Sequence, residues 1–134
     1  MAEAGEQLRA LAQGGAPNAA ATYSQGTVEI VGPDLDASLC FYASLGFQLE
    51  RRTGGFAVIN GFGVRIFLAE NRDAPTARRW SNIRVMVGDV NAIWNCVNAN
   101  GIRAQNIVGD RDYGLRDFLV LDPSGFEVRF AQAI

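Results

Sequence analysis

Along Thr27–Val31 apolar and polar residues alternate, and after Asp34 the apolar positions Leu39, Tyr42 and Leu45 recur at helical spacing. The alternation predicts a strand and the spacing predicts a helix. Asp34 stands where its carboxylate can accept from the free N–H groups of the first helical turn, and Gly46 suits the position just past the helix end. The same succession returns 55 residues later, with Asp89 for Asp34, Ile93 and Val97 on the helix, and Gly101 for Gly46. Thr27–Phe47 lies over Asn82–Ile102 without a gap. A second pair, Phe56–Leu68 over Phe118–Phe130, repeats at an offset of 62. Asn60-Gly61 predicts a tight hairpin between Phe56–Ile59 and Val64–Leu68, and Asp122-Pro123-Ser124-Gly125 predicts its counterpart. One more strand fits near Gln48–Arg52 and near Arg103–Ile107. The chain therefore reads as βαβββ, twice. The expected domain covers residues 25–134, with module 1 at about 25–70 and module 2 at about 80–134. Residues 1–24 read as an appendage: a short helical pattern over Glu3–Gln13 with Leu8 and Leu11, ended by Gly14-Gly15 and Pro17, then an Ala-rich linker.

Strand alternation sorts the side chains into two faces. One carries Val28, Ile30, Val64, Ile66, Leu68, Ile83, Val85, Val87, Phe126, Val128 and Phe130, all apolar, and is the face on which helices pack. The other carries Thr27, Glu29, Arg65, Phe67, Asn82, Arg84, Met86, Glu127 and Arg129, joined across the hairpins by Phe56, Val58, Phe118 and Val120. This mixed face reads either as the wet side of an antiparallel sheet or as the lining of a cup. Phe67, Met86 and Phe118 on a solvent face would be costly exposures, which favours the cup. The expected fold class is α+β: two βαβββ modules in tandem forming a curved, cup-like mixed sheet with helices on the outer face.

Composition narrows the function. With 134 residues, 49% hydrophobic and 19% charged, the chain is that of an ordinary soluble domain. A net charge of −2 and isolated Arg51-Arg52 and Arg78-Arg79 doublets, read as solvated loop residues, give no nucleic-acid stripe. No run of eighteen apolar residues predicts a membrane span, and the N-terminus has no secretory pattern. Cys40 and Cys96 fall in the repeated helices and are expected to be buried free thiols, which suits the cytoplasm. Seven extra residues lie between helix and hairpin in the second unit, around Gly109–Gly114, in a loop that holds Asp110, Arg111, Asp112 and Tyr113 and could close over a site. Trp80 and Tyr113 are placed to rim the cup, whereas Trp94, on the helix, reads as core.

The duplicated unit, the string DLDASLCFYASLGF (34–47) and the string GLRDFLVLDPSGFEVRF (114–130) together resemble the glyoxalase/bleomycin-resistance/extradiol dioxygenase superfamily, also called vicinal oxygen chelate, over about residues 26–133. The resemblance implies the fold more than the function, since the family spans lyases, dioxygenases, epimerases, thiol transferases and drug-binding proteins. Metal-dependent members typically place His at the head of each unit's first strand and Glu near the end of each last strand. Those positions fall here on Thr27, Asn82, Phe67 and Arg129, and the chain has no His. Phe does not ligate a divalent metal, and Arg places a fixed cation where the metal would sit. The resemblance is therefore nearest to the metal-free bleomycin-resistance group, which binds and sequesters its ligand between two chains.

The expectation is a cytoplasmic homodimer that binds a drug-like, aromatic or anionic small molecule, with no metal, no cofactor, no nucleic acid and no membrane partner. Its candidate ligand-binding residues are Glu29, Arg65, Phe67, Trp80, Asn82, Arg84, Met86, Tyr113, Phe118, Glu127 and Arg129. Glu29 and Glu127, expected to be ion-paired, face Arg65, Arg84 and Arg129. Spare Arg suits an anion better than a polycation, unless the five charges only neutralise one another. Two alternatives stay open: a metal-free lyase- or isomerase-like enzyme with Glu127 or Glu29 as base, and a partner-binding role for the N-terminal helix.

Overall fold

Asp34 and Asp89 cap the two helices: their carboxylates accept from the backbone N–H of Ala37 at 3.0 Å and of Ala92 at 3.1 Å. Gly46 and Gly101 follow the helix ends with φ of +95° and +72°. In the computed structural model, which describes residues 5–8, 10 and 26–134, each module has one strand, one helix and three further strands. Module 1 comprises β1 (Val28–Gly32), α1 (Leu35–Ser44), β2 (Gln48–Thr53), β3 (Phe56–Gly61) and β4 (Val64–Glu70). Module 2 comprises β5 (Asn82–Met86), α2 (Val90–Ala99), β6 (Gly109–Asp110), β7 (Leu115–Leu121) and β8 (Glu127–Ala133). The strands form two four-stranded mixed sheets, β1-β4-β3-β2 and β5-β8-β7-β6, in which the first strand runs parallel to the last and the others pair antiparallel. Residues 5–8 and 10 are helical, with Leu8 exposed. Leu11 and the expected linker lie outside the described residues.

The helix-facing residues of both sheets join in one apolar cluster. Ile30, Ile66 and Leu68 of module 1, Val85, Val128 and Phe130 of module 2, and the helix residues Tyr42 and Val97 all belong to it. The modules also touch directly. The Phe62 ring meets Phe130 edge-on at 5.5 Å, and Tyr42 Oη donates to the buried Asp122 Oδ2 at 2.7 Å. Trp94 packs on Phe118 with ring centroids 5.2 Å apart, as core. Among the described residues no helix is long and apolar enough to cross a membrane.

Several local expectations are corrected. The hairpin of module 1 turns at Phe62-Gly63, where both residues have positive φ as a type I′ turn requires, and not at Asn60-Gly61. Gly61 instead ends β3, and a Cβ there would meet the Phe47 ring at 2.9 Å, so it is glycine for the approach of Phe47. Arg103–Ile107 is not a ladder strand. It makes one bridge, Ala104 to Val120, while the Asn106 side chain accepts from the Leu119 N–H, and β6 lies further on at Gly109–Asp110. Cys40 and Cys96 are free thiols but exposed, not buried. Arg78 and Arg79 are not solvated: Arg78 pairs with Glu127, and Arg79 donates to the carbonyls of Val31 and Ser124.

The largest correction is one of register. Ile66 and Val128 keep the offset of 62, but their partners Ile59 and Val120 are 61 apart. Three residues, Pro123-Ser124-Gly125, separate the paired Asp122 and Phe126, whereas two, Phe62-Gly63, separate Gly61 and Val64. Because side chains alternate with period 2, one extra turn residue reverses every side chain of β7 relative to β3. Phe118 and Val120 therefore point to the helices, fully buried, with Phe118 opposite Phe130. Phe118 is not a site residue. Asp117 and Leu119 take the other face.

Candidate functional site

On the open face of module 2 three rungs cross β5, β8 and β7. They are Met86–Ala131–Asp117, Arg84–Arg129–Leu119 and Asn82–Glu127–Leu121. Asp117, which the sequence pattern did not single out, is the focus of this face and has no exposed surface. The loop of residues 111–114 folds back onto it. Arg111 Nε donates to Asp117 Oδ1 at 2.8 Å, and Tyr113 Oη donates to Oδ2 at 2.6 Å. A second Arg111 nitrogen donates to the carbonyls of Ile107 and Asp117, so Arg111 is fixed by the strand it covers. The sequence signal for this closure was the extra length carrying Arg111 and Tyr113.

From the sheet side, Arg84 Nη2 and Arg129 Nη1 face the same oxygen, Asp117 Oδ2, at 3.8 and 3.9 Å. These separations are charge contacts, too long for hydrogen bonds. Glu127 is nearly buried and held between Arg78 (3.1 Å) and Arg129 (3.4 Å). Arg78 in turn lies 3.8 Å over the ring of Trp80, and Arg84 lies 5.3 Å from the Tyr113 ring. Trp80, Met86 and Tyr113 are exposed beside these charges. Four guanidinium groups thus face two carboxylates. Burial alone would push the Asp117 carboxyl up, but the hydrogen bonds from Arg111 and Tyr113 and the charges of Arg111 and Arg129 outweigh it and hold its pKa below the ordinary value. The hydrogen bond to Asp117 pushes the Tyr113 phenol upward, so it remains a donor.

The remaining candidates lie on module 1. Arg65 pairs with Glu50 at 2.9 Å, not with Glu29. Phe67 packs against Phe56 with centroids 5.3 Å apart. Glu29 is exposed and, contrary to expectation, has no ion pair among the described residues. Arg84, Arg129, Glu127, Tyr113 and Trp80 are therefore gathered in one network, with Asn82 and Met86 on the rungs beside it. Glu29, Arg65 and Phe67 belong to the other sheet, and Arg78, Arg111 and Asp117 join the network.

The residues do not suit a divalent metal. Arg129 puts a fixed positive charge on this face, and no three His, Cys, Asp or Glu side chains cluster among the described residues. A separate apolar cleft of about 220 Å³ lies between the helices, lined by Leu45, Phe62, Cys96, Val97 and Phe130 among others. It offers no charged group to orient a ligand.

Fold and repeat together define a tandem βαβββ protein. The family model of the Glyoxalase/Bleomycin resistance protein/Dioxygenase superfamily matches residues 24–130, and the chain belongs to that superfamily. No curated protein sequence matches it. Its fold is similar to that of a bleomycin resistance determinant encoded on the transposon Tn5, with TM-score 0.73 and 18% identity over 82% of this chain and 98% of the other. It is also similar to a bleomycin-binding protein complexed with bleomycin, with TM-score 0.70 and 18% identity over 83% and 99%. A lactoylglutathione lyase from Agrobacterium tumefaciens shares the fold as well, with TM-score 0.66 and 15% identity over 87% and 96%.

Proposed function

We propose that the protein is a cytoplasmic, metal-independent binding protein that sequesters an anionic small molecule with an aromatic or planar body. The observation that carries this reading is the surplus of guanidinium over carboxylate on the open face of module 2, beside exposed Trp80, Tyr113 and Met86. Such a face attracts an anion and offers rings on which a planar body can stack. The likeness to a bleomycin-binding protein supports binding as the mode of action, while the positive surplus argues for a ligand unlike a polycation. Base catalysis by Glu127 is disfavoured, because both its oxygens are held by arginines.

Titration of intrinsic fluorescence with a panel of aromatic carboxylates is the direct test. Trp80 is 75% exposed beside Arg78, so a saturable change is expected, lost in Trp80→Phe and weakened by salt. Absence of any saturable anionic or aromatic binder, together with stoichiometric divalent metal retained through purification, would reject the proposal.

The working unit proposed is a homodimer in which a second copy completes the cup over this face. Strands β1, β2, β5 and β6 are sheet edges, and Trp80 and Met86 are exposed beside the network. Sedimentation at micromolar concentration is expected to give twice the 14.5 kDa of one chain; a monomer under those conditions contradicts it.

A further inference from the structure

We infer that the ligand carries two negative charges close together, as a phosphoryl dianion or a vicinal dicarboxylate does, and that Arg84 and Arg129 receive them. The inference rests on the ligand-binding reading above and narrows it. Four guanidinium groups (Arg78, Arg84, Arg111 and Arg129) share two carboxylates (Asp117 and Glu127), which leaves two positive charges unmatched. The surplus is not spread evenly. Arg78 and Arg111 each donate a hydrogen bond to a carboxylate at 3.1 and 2.8 Å. Arg84 donates none among the described residues, and Arg129 donates one, to Glu127 at 3.4 Å. Arg129 Nε is moreover buried without a hydrogen-bond partner among the described residues, and a buried unpaired donor is a standing cost.

Arg84 and Arg129 are also neighbours in register on adjacent parallel strands. Their nitrogens converge on one oxygen of a buried carboxylate without bonding to it. Asp117 thus acts as an internal template. It holds two planar donors side by side, yet Arg111 and Tyr113 already occupy its oxygens at hydrogen-bond length. Two adjacent guanidiniums with unspent donors match two adjacent anionic groups, or the several oxygens of one phosphoryl group, better than a single carboxylate. A monoanion would leave one of the two unmatched.

Isothermal titration at pH 7.5 with benzoate, phthalate and phenyl phosphate tests the inference. The aromatic body is shared, and phenyl phosphate is a dianion there because its second pKa is about 6. At least one of phthalate and phenyl phosphate is expected to bind about tenfold or more tighter than benzoate. Preference for phthalate alone identifies the dicarboxylate form, and preference for phenyl phosphate alone identifies the phosphoryl form. In Arg84→Gln phthalate and phenyl phosphate are expected to weaken more than benzoate does, so that the preference shrinks towards one. Arg84 is partly exposed, so the variant is expected to fold, which its melting curve checks. Benzoate binding as tightly as both dianions in the unmodified protein overturns the inference and leaves the binding reading standing. Failure of all three to bind overturns the inference, and the binding reading falls with it only if the wider panel of aromatic carboxylates also gives no saturable binder.

Discussion

Replacing Asp122 by alanine lowers the melting temperature by about 10–20 °C, corresponding to about 3–5 kcal/mol in a chain of this size. The reason is the number of donors that one buried carboxylate serves. Asp122 Oδ1 accepts from the Ser124 N–H at 2.8 Å, the Ser124 hydroxyl at 2.7 Å and the Phe126 N–H at 3.0 Å, while Oδ2 accepts from Tyr42 at 2.7 Å. Asp122 is 4% exposed, and Tyr42 and Ser124 are fully buried, so water does not replace the lost acceptor. Gly125, at φ +84°, completes the turn, and a Cβ there would lie against the backbone carbonyl of Ala77. The turn is therefore held from inside by Asp122 and pressed from outside by the inter-module linker. Tyr42→Phe removes one bond of the four and is expected to cost about 1–3 kcal/mol. Circular dichroism melts check both variants; an Asp122→Ala protein melting within about 3 °C of the parent would contradict the account. Burial, then the charge and hydrogen bond of Asp122, push the Tyr42 phenol far above its ordinary 10.0. A raised folded pKa stabilises fully below the unfolded value and is lost at higher pH, so this contact weakens the fold only under alkaline conditions.

The parts of this fold that were legible in the sequence are those set by local chemistry. Asp34, Asp89, Gly46 and Gly101 act within a single helical turn, so their types alone mark the helix ends. The faces of β1, β4, β5 and β8 followed from alternation, because each carries its own apolar stripe. The face of β7 did not follow, and the cause is specific. Aligning Gly63 with Gly125 places all seven extra residues of module 2 before β7, whereas only six lie there and the seventh lies in the turn. Alternation within LRDFLVL fits either face, since Phe118 and Val120 are apolar and so is Leu119. The polar signal was Asp117, but a carboxylate in a strand is ordinarily a solvent residue. Its burial depends on Arg111 and Tyr113 arriving from a loop and on Arg84 and Arg129 arriving from two other strands. Arg78 was missed for a similar reason. It lies in the linker, and its partner Glu127 is 49 residues away, a pairing that no local pattern encodes.

Asp117→Asn is expected to destabilise the protein by about 2–3 kcal/mol at neutral pH. This is less than the 3–5 kcal/mol of a fully buried pair, because Arg84, Arg111 and Arg129 keep side-chain exposures of 20–36% that let water screen them. The sign of the pH dependence follows from the direction of the Asp117 shift. Burial works against the charge, the hydrogen bonds from Arg111 and Tyr113 more than offset it, and the folded pKa lies below the ordinary 3.8. A depressed carboxyl contributes its stability above the unfolded value and loses it as pH falls through the folded value. Urea unfolding at pH 7 and again well below 3.8 should therefore show the gap between parent and variant closing on acidification; an equal gap at both would mean that the charge of Asp117 does not act as argued. The same variant separates charge from geometry at the binding face. Removing Asp117 makes the face more positive by one, and attraction alone would then tighten phenyl phosphate. If Asp117 instead holds Arg84 and Arg129 in line, phenyl phosphate binding weakens although the local charge has risen. Weaker binding is the expected result. Tighter binding would reduce Asp117 to a counter-ion that competes with the ligand.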